Sequence, residues 1–200
     1  MRLQTRAIHG HGYLDEFTGA FIPPVYLAAM FEQPGWTRMS DRGVDLKYSR
    51  EENPTVRALE RVLAVVEGGG DALCFSSGMA AISTVYVSML RSGDRLVVPA
   101  EAYGTTVQLA GDLARFNVEV TLAWPETESI VEAVREGTRL VLVETMTNPT
   151  LRVIDVEEVA KRCREVGAML VVDNTFVTPV LYRPLDHGAD IVVHSATKYL

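Results

Sequence analysis

The chain has 200 residues, of which 48% are hydrophobic and 22% charged, a balance typical of a folded globular chain rather than a disordered one. Its formal net charge of -7 argues against nucleic acid or an anionic membrane surface as the main partner. The two cysteines, Cys74 and Cys163, cannot form a disulfide framework, and we interpret both as packed thiols.

The first residues do not resemble a targeting or anchoring segment. They lack the apolar core of a signal peptide, and no apolar run in the sequence is long enough to span a bilayer. We therefore expect a cytoplasmic protein without a membrane partner. His9 and His11 form an H-x-H pair, but no further ligands lie nearby in the sequence, so no metal site is expected.

Residues 1–55 are predicted to form an extended N-terminal arm with one short helix. The segment has little hydrophobic periodicity and contains many residues that interrupt helices and strands: Gly10, Gly12, Gly19, Pro23, Pro24, Pro34, Gly35 and Pro54. An arm of this composition cannot bury much surface by itself. We therefore expect it to lie on a neighbouring subunit.

Residues 56–200 are predicted to form an α/β domain. Apolar residues at helical spacing cover 56–66, ending at the glycines 68–70, and a second apolar helix covers 79–90. Strand-like runs then alternate with helical patterns. The strands are predicted at 95–100, 118–123, 139–145, 169–176 and 190–197, and the helices at 104–116, 127–136 and 155–166. Nearly continuous Val, Ile and Leu strands separated by helices indicate a mostly parallel sheet covered on both faces.

Polar residues follow three of these strands at their carboxyl ends. Glu144 and Asn148 follow one strand, Asp173 follows the next, and Lys198 follows the last. Because ligands bind at the carboxyl ends of parallel strands, we expect an acid and Lys198 to face one cavity. A buried salt bridge between Asp173 and Lys198 is the structural alternative, although desolvation makes such a pair a poor stabilising device. The functional interpretation is an imine-forming lysine whose pKa is lowered by burial and neighbouring charges.

The run CFSSGMAA at 74–81 predicts an anion site. Ser76, Ser77 and Gly78 stand directly before a helix, where free N–H groups and the helix dipole favour a phosphate. An ordinary helix cap is the alternative interpretation of the same residues. Ser195 and Thr197, three residues and one residue before the lysine, would add hydroxyl donors close to the same point.

Two aromatic residues complete the pattern. Tyr103, in AEAYGTT after another strand, could stack on a flat ring, or it could be a half-exposed loop tyrosine. Tyr48 and Arg50 are two positions apart, so in an extended segment both would point the same way and suit a phosphate; a surface arginine is the alternative. Lysine, acid, aromatic ring and phosphate donors together describe a site for pyridoxal 5'-phosphate.

The sequence resembles the Cys/Met-metabolism family of pyridoxal-phosphate enzymes, the transsulfuration group that includes cystathionine γ-synthase and cystathionine γ-lyase. The matching motifs run in order along almost the whole chain: TRAIHG, TGAFIPPVY, YSREENPT, FSSGMAA, AYGTT, ETMTNPT, VVDNTF and SATKY. The resemblance implies an α/β fold, namely the large domain of the PLP-dependent transferases (aspartate aminotransferase, fold type I), preceded by the arm. Residues 56–200 would be an incomplete PLP-binding domain, because family members continue well beyond the lysine.

The resemblance also implies roles for individual residues. Lys198 matches the lysine that forms the Schiff base and moves substrate protons, Asp173 matches the partner of the pyridine nitrogen, and Asn148 matches a residue near the ring hydroxyl. Tyr103 resembles the stacking tyrosine, which can also act on the substrate amino group. The remaining matches are phosphate contacts: Ser77, Gly78, Met79, Ser195 and Thr197 within the subunit, and Tyr48 and Arg50 reaching a neighbouring subunit.

The implied activity is γ-elimination or γ-replacement on cystathionine or O-acyl-homoserine substrates, by a homo-oligomer that is usually a dimer of dimers. O-acetylhomoserine sulfhydrylase and methionine γ-lyase are alternatives, and Thr105 in place of a cysteine lowers the second. A non-catalytic half-chain is a different hypothesis, in which a second polypeptide supplies the missing C-terminal part. The weakest hypothesis is an imine-forming aldolase without a cofactor, because such an enzyme would not need the phosphate donors and Asp173 together.

Overall fold

The computed structural model describes residues 2–14, 18–33, 39–40, 42–43 and 45–200. The chain forms two compact units, Met1–Cys74 and Phe75–Leu200. A boundary was predicted after residue 55, whereas the helix that begins at Pro54 lies entirely in the first unit. Pro34 and Gly35, two of the expected breakers, lie outside the described residues.

The first unit contains two helices, α1 (Leu3–His9) and α2 (Pro54–Glu67), which pack against each other. The helix α2 starts two residues before its predicted position because Asn53 caps it. The Asn53 side chain accepts hydrogen bonds from the N–H groups of Thr55 (2.9 Å) and Val56 (3.4 Å). The helix ends at Gly68, whose φ of 80° is the left-handed conformation that glycine adopts without strain. The one short helix expected in the arm is confirmed as α1.

Charged hydrogen bonds hold the irregular part of the first unit. Arg42 Nη2 donates to Glu60 Oε2 (2.5 Å), and Arg42 Nε donates to Asp71 Oδ2 (2.9 Å). Arg57 reaches the other oxygen of Asp71 at 2.5 Å. The hydrogen bond from Arg42 holds the pKa of Asp71 well below its usual range. A segment with few apolar contacts is thereby tied to α2 through buried Glu60.

The second unit alternates strands and helices, as the pattern predicted. The strands are β1 (Arg95–Pro99), β2 (Glu119–Ala123), β3 (Thr138–Glu144), β4 (Met169–Asp173) and β5 (Ile191–Val193). The helices are α3 (Gly78–Met89), α4 (Gly104–Asp112), α5 (Thr127–Ala133), α6 (Val156–Val166) and α7 (Thr178–Leu181), with 3₁₀ turns at Leu113–Phe116 and Pro184–His187. Asp155 caps α6 by accepting the N–H of Glu158 (3.1 Å), as its capping box predicted.

The five strands form a parallel sheet in the order β2-β1-β3-β4-β5. Alternate residues of β3 enter two separate cores: Leu140 and Leu142 face the one that includes α3 and α4, whereas Val141 and Val143 face the one that includes α5 and α6. The sheet is therefore covered on both faces, which confirms the α/β expectation.

Cys163 is buried in the second of these cores, where desolvation raises the pKa of its thiol to about 12, and Cys74 is half-buried. Both are free thiols.

Three local expectations are corrected. Strands β4 and β5 end at Asp173 and Val193, three and four residues earlier than predicted, because the following residues turn back through side-chain hydrogen bonds. The helix predicted at 104–116 changes to a 3₁₀ turn after Asp112 and ends at Asn117, which has a φ of 59°. The short helix α7 was not predicted, because four residues are too few to show helical periodicity.

Among the residues that the structure describes, none of the helices is both long and apolar enough to span a bilayer. The same residues contain no group of three or more His, Cys, Asp or Glu side chains arranged to hold a metal ion. His11 instead accepts the N–H of Tyr13 on Nδ1, at 2.8 Å.

Candidate active site

A cavity of about 290 Å³ lies in the second unit, at the carboxyl edge of the sheet. In the sheet, β2 lies on one side of β1, and β3 lies on the other side. The strand order therefore reverses between β1 and β3, and this is where ligands of open α/β sheets bind. The cavity is lined by Ser77, Gly78, Met79, Ile82, Tyr103, Glu144, Met146, Asn148, Asp173, Thr175, Phe176, Ser195 and Lys198. The structure therefore brings together eight of the eleven predicted site residues.

Asp173 is the last residue of β4 and is held by Thr175. Its Oδ1 accepts hydrogen bonds from the Thr175 backbone N–H (3.0 Å) and hydroxyl (2.5 Å). Its Oδ2 accepts none from any residue within the described ranges, so this oxygen is available to a ligand. Burial raises the pKa of Asp173, and the Thr175 hydrogen bonds oppose that rise by stabilising the carboxylate.

Thr175 is a site residue to which the sequence analysis gave no role. Its Oγ1 donates to Asp173 and accepts the N–H of Ser195 at 2.8 Å. One hydroxyl thus links the end of β4 to the segment after β5. The motif VVDNTF contains this threonine, but its contact with Ser195 lies 20 residues away in sequence and is visible only in the fold.

The amino end of α3, where the anion site was predicted, lies at the cavity. Ser77 caps the helix by accepting the N–H of Ala80 (3.0 Å), which confirms the helix-cap interpretation, and the anion site stays a prediction. A Cβ atom added at Gly78 would lie 3.1 Å from Ser195 Cβ and 3.3 Å from its Cα. Glycine therefore lets the start of α3 approach Ser195 closely. Met79, the next residue, accepts a 3.6 Å hydrogen bond on Sδ from the Thr106 hydroxyl.

Lys198 lines the cavity but is not buried, which corrects the sequence expectation. Because β5 ends at Val193, the chain turns after the half-buried Ser195, and residues 196–198 are exposed; the Lys198 N–H donates to the Ser195 carbonyl (3.0 Å). No ion pair joins Lys198 to Asp173 among the described residues, so the buried salt-bridge alternative is wrong for this structure. Thr197 is exposed in the same turn and is not among the lining residues.

Tyr103 stands at the N-cap position of α4, 48% exposed, with its side chain at the cavity. Its backbone N–H donates to Glu144 Oε1 at 2.6 Å. Asn148, after β3, is exposed at the cavity mouth. Tyr103 and Asn148 thus reach the site from the two strands on either side of the point where the strand order reverses.

Tyr48 and Arg50 lie in the first unit and are not lining residues of this cavity. Their segment is a series of turns rather than an extended strand, which corrects the premise of the prediction. The two side chains still meet, with the Arg50 guanidinium carbon 4.9 Å from the centre of the Tyr48 ring. Their contact with the phosphate of a neighbouring subunit stays a prediction.

Glu144 is the main residue that the predicted site omitted. It ends β3, is only 6% exposed and lines the cavity. Its Oε2 is buried without a hydrogen-bond partner among the described residues. Burial raises the pKa of its carboxyl to about 7. An acid at a strand end, in the motif ETMTNPT, was the signal available in the sequence.

Proteins of one enzyme family are similar to this chain along almost its whole length. A family model described as Cys/Met metabolism PLP-dependent enzyme matches residues 4–200. The chain is 42% identical over 198 residues to the cystathionine gamma-synthase of Mycobacterium tuberculosis (strain ATCC 25618 / H37Rv), covering 98% of the chain and 50% of the relative. It is 38% identical over 200 residues to the cystathionine beta-lyase MetC of Bacillus subtilis (strain 168), covering 99% and 50% respectively.

A solved structure gives the same result for the fold. The cystathionine gamma synthase from Xanthomonas oryzae pv. oryzae, in complex with aminoacrylate and cysteine, matches with a TM-score of 0.90 and 39% identity, covering 100% of this chain and 51% of the other. The chain spans about half the length of the curated relatives it matches. The resemblance and the implied fold are both confirmed, and the chain belongs to the family of Cys/Met metabolism PLP-dependent enzymes.

Proposed function

We propose that this protein is a pyridoxal 5'-phosphate enzyme of sulfur amino-acid metabolism that performs γ-elimination or γ-replacement on cystathionine or O-acyl-homoserine substrates. The observation that carries the proposal is a single cavity that contains an amine, a carboxylate with one uncommitted oxygen, an aromatic side chain and a helix amino end. These are the groups that bind and use this cofactor in a protein site.

The residues present fit the cofactor. The phosphate would bind the free N–H groups at the start of α3, where Gly78 leaves space beside Ser195 that a Cβ would fill. The free Oδ2 of Asp173 would hold the ring nitrogen in its protonated form. The ring of Tyr103 would cover the cofactor, and the amide of Asn148 would meet its hydroxyl.

Lys198 carries the proton transfers in this proposal. The bound cofactor supplies an electron sink for the charge left when a substrate proton is removed. The amine Nζ of Lys198 removes protons from the substrate α- and then β-carbon and returns them, acting as general base and acid. Tyr103, on the cavity wall, would act on the substrate amino group.

The choice of reaction rests on substrate assays. Relatives named cystathionine gamma-synthase, cystathionine beta-lyase and L-methionine gamma-lyase match at similar identity, between 38% and 42%. Cystathionine cleavage measured against O-acyl-homoserine turnover with cysteine or with sulfide separates the lyase, synthase and sulfhydrylase alternatives.

The partners and location are further proposals. The working form would be a homo-oligomer, usually a dimer of dimers, in the cytoplasm. In the half-chain hypothesis, a second polypeptide completes it. Support for assembly comes from apolar side chains of the first unit that are more than half exposed: Phe21, Ile22, Val25, Leu27 and Met30.

The test uses covalent capture of the cofactor. The protein is incubated with pyridoxal 5'-phosphate, reduced with borohydride and digested, and the modified lysine is located by mass spectrometry. We expect modification at Lys198, with visible absorbance that is lost in Lys198→Ala. The matched control is Lys161→Ala, which changes an exposed lysine of α6 and should retain both signals. Modification elsewhere, or no saturable binding, would contradict the proposal.

A further inference from the structure

Glu144 is a buried carboxyl group whose two oxygens have different environments. Oε1 accepts the backbone N–H of Tyr103 at 2.6 Å. Oε2 has no partner among the described residues and is shielded from solvent. A buried polar atom without a hydrogen-bond partner lowers the free energy of unfolding, so Oε2 destabilises the folded protein.

The hydrogen-bond donor to Glu144 Oε1 is the backbone of Tyr103, which stands at the start of α4. Tyr103 is the N-cap residue of α4 but makes no side-chain cap hydrogen bond, and it lines the cavity. Glu144, 41 residues later in the chain, accepts the N–H that would otherwise be unpaired. The carboxyl therefore fixes the position of the backbone that carries the ring.

A second contact connects Glu144 to the charge of the site. Glu144 pairs in register with Asp173 on the neighbouring strand, so both carboxyl groups lie at the same edge of the sheet and line the same cavity. The other titratable groups that line this cavity are Tyr103 at the start of α4 and Lys198 after β5, and α3 contributes only Ser77, Gly78, Met79 and Ile82. Two adjacent buried carboxylates repel each other, which disfavours ionisation of both.

The hydrogen bonds decide which of the two keeps the negative charge. Asp173 receives two hydrogen bonds from Thr175 on one oxygen, and these, together with the nearby His194 after β5, stabilise its carboxylate. Glu144 is the more deeply buried of the two in solvent-accessible area and has one oxygen unpartnered. The proton is therefore better accommodated on Glu144.

We infer that Glu144 is a positioning residue of this site: it holds the Tyr103 backbone at the cavity wall and leaves Asp173 as the carboxylate that faces the cofactor ring. This inference rests on the proposed function for the identity of the ring. The contact with Tyr103 itself is independent of any ligand.

The experiment compares three substitutions of Glu144 in the full chain. Glu144→Gln keeps an acceptor for the Tyr103 N–H, Glu144→Ala removes it, and Glu144→Asp withdraws it by one methylene while keeping the acid. Hydrogen exchange of the Tyr103 amide is measured without cofactor, and visible circular dichroism per bound cofactor is measured after loading with pyridoxal 5'-phosphate. Glu128→Ala, at an exposed position of α5, is the control.

We expect the Tyr103 amide to exchange roughly tenfold faster in the Ala and Asp variants, because one buried hydrogen bond is lost. The visible dichroism should fall in the same two variants and be retained in Glu144→Gln, a rescue that a purely structural role would not produce. Wild-type exchange in both Ala and Asp variants overturns the inference, and the Asp variant serves if the Ala variant does not fold. If the unsubstituted protein binds no cofactor, the proposed function fails, while the exchange result still decides the role of Glu144.

Discussion

Thr175 holds one oxygen of Asp173 through two hydrogen bonds. Its backbone N–H and hydroxyl both donate to Oδ1, and the hydroxyl also accepts the N–H of Ser195. The side chain therefore sets the orientation of the acid and the position of the segment after β5 together. A single methyl-for-hydroxyl change at this residue should disturb both.

We predict that Thr175→Val weakens the binding of pyridoxal 5'-phosphate. The variant keeps the size and branching of the side chain but removes the hydroxyl that bridges Asp173 and Ser195. A hydrogen bond to a charged group is worth about 1.5–3 kcal/mol, so the dissociation constant should rise roughly tenfold or more. Equilibrium dialysis measures it, and Thr175→Ser, which retains the hydroxyl, should bind like the unsubstituted protein. Equal affinity of the Val and Ser variants would show that the bridge is unimportant.

Glu144 should make the protein less stable as the pH rises. Burial raises the pKa of its carboxyl from 4.5 to about 7 in the folded state. Between these values the folded protein holds a proton that the unfolded chain has released, so the free energy of unfolding falls as the pH increases. At about 1.4 kcal/mol per tenfold change in proton affinity, the loss is on the order of 3 kcal/mol above pH 7.

Urea unfolding at several pH values measures this effect. The side chain introduced by Glu144→Gln cannot ionise. The free energy of unfolding of this variant should therefore increase relative to that of the unsubstituted protein as the pH rises from 5 to 8. Asp173 is present in both proteins, and the difference between them therefore reports the ionisation of Glu144 together with its repulsion of Asp173. A difference that stays constant over this pH range would mean that Glu144 is ionised throughout.

Among the helices and strands, the amino end of α3 is where the close approach of two backbone segments matters most. Gly78 is the first residue of this helix, and its missing Cβ leaves room beside Ser195. A side chain added at Gly78 should therefore weaken the binding of a phosphate group selectively, because the free N–H groups of the helix start point towards that part of the site.

We predict that Gly78→Ala lowers the affinity for pyridoxal 5'-phosphate while leaving that for pyridoxal, which lacks the phosphate, nearly unchanged. The new Cβ would be 3.1 Å from Ser195 Cβ, so the helix start and Ser195 must separate. Gly111→Ala in α4, where an added Cβ meets nothing within 4 Å, is the matched control and should stabilise the helix by about 1 kcal/mol. An equal loss for both ligands would place the damage elsewhere than at the phosphate.

The same elements explain how much the sequence could predict. The start of α6 depends on a local cap, Asp155, which was predicted from its neighbouring residues. The start of α2 also depends on a local cap, Asn53, but this cap was not predicted and the helix was placed two residues too late. The carboxyl ends of β4 and β5 were predicted too late because they depend on distant contacts, such as Thr175 with Ser195. Lys198 was expected to be buried for the same reason, since its exposed turn begins where β5 stops.

Some residues of the candidate site could likewise be predicted from the sequence, and others could not. Residue types in short motifs predicted Lys198, Asp173 and Tyr103 at one edge of the sheet. The function of Glu144 could not be predicted, because it depends on pairing with Asp173 across strands and on an N–H 41 residues earlier. Sequence spacing contains neither the register of a parallel sheet nor the direction of one backbone N–H group.

At the scale of the whole molecule, the question is whether one chain forms a complete site. The cavity of the second unit contains Lys198 and Tyr103, whereas Tyr48 and Arg50 belong to the first unit and were predicted to serve a neighbouring subunit. In a symmetric dimer with such an exchange, each site takes Lys198 from one chain and Arg50 from the other. This arrangement can be tested by mixing two defective variants.

We predict that mixing Arg50→Ala with Lys198→Ala, after dissociation and reassembly, restores cofactor binding that neither variant has alone. A mixed dimer has one intact site and one doubly defective site, so random assembly of a twofold dimer should recover about a quarter of the sites. Sites are counted by the lysine adduct left after borohydride reduction.

The control mixture combines Tyr103→Ala with Lys198→Ala. Both residues line the same cavity of one chain, so every site of a mixed dimer would keep one defect and no intact site should form. Subunit exchange is verified by native mass spectrometry with differently tagged chains. If mixed dimers form and the Arg50 mixture recovers no more sites than the Tyr103 mixture, Arg50 does not reach the site of a neighbouring subunit.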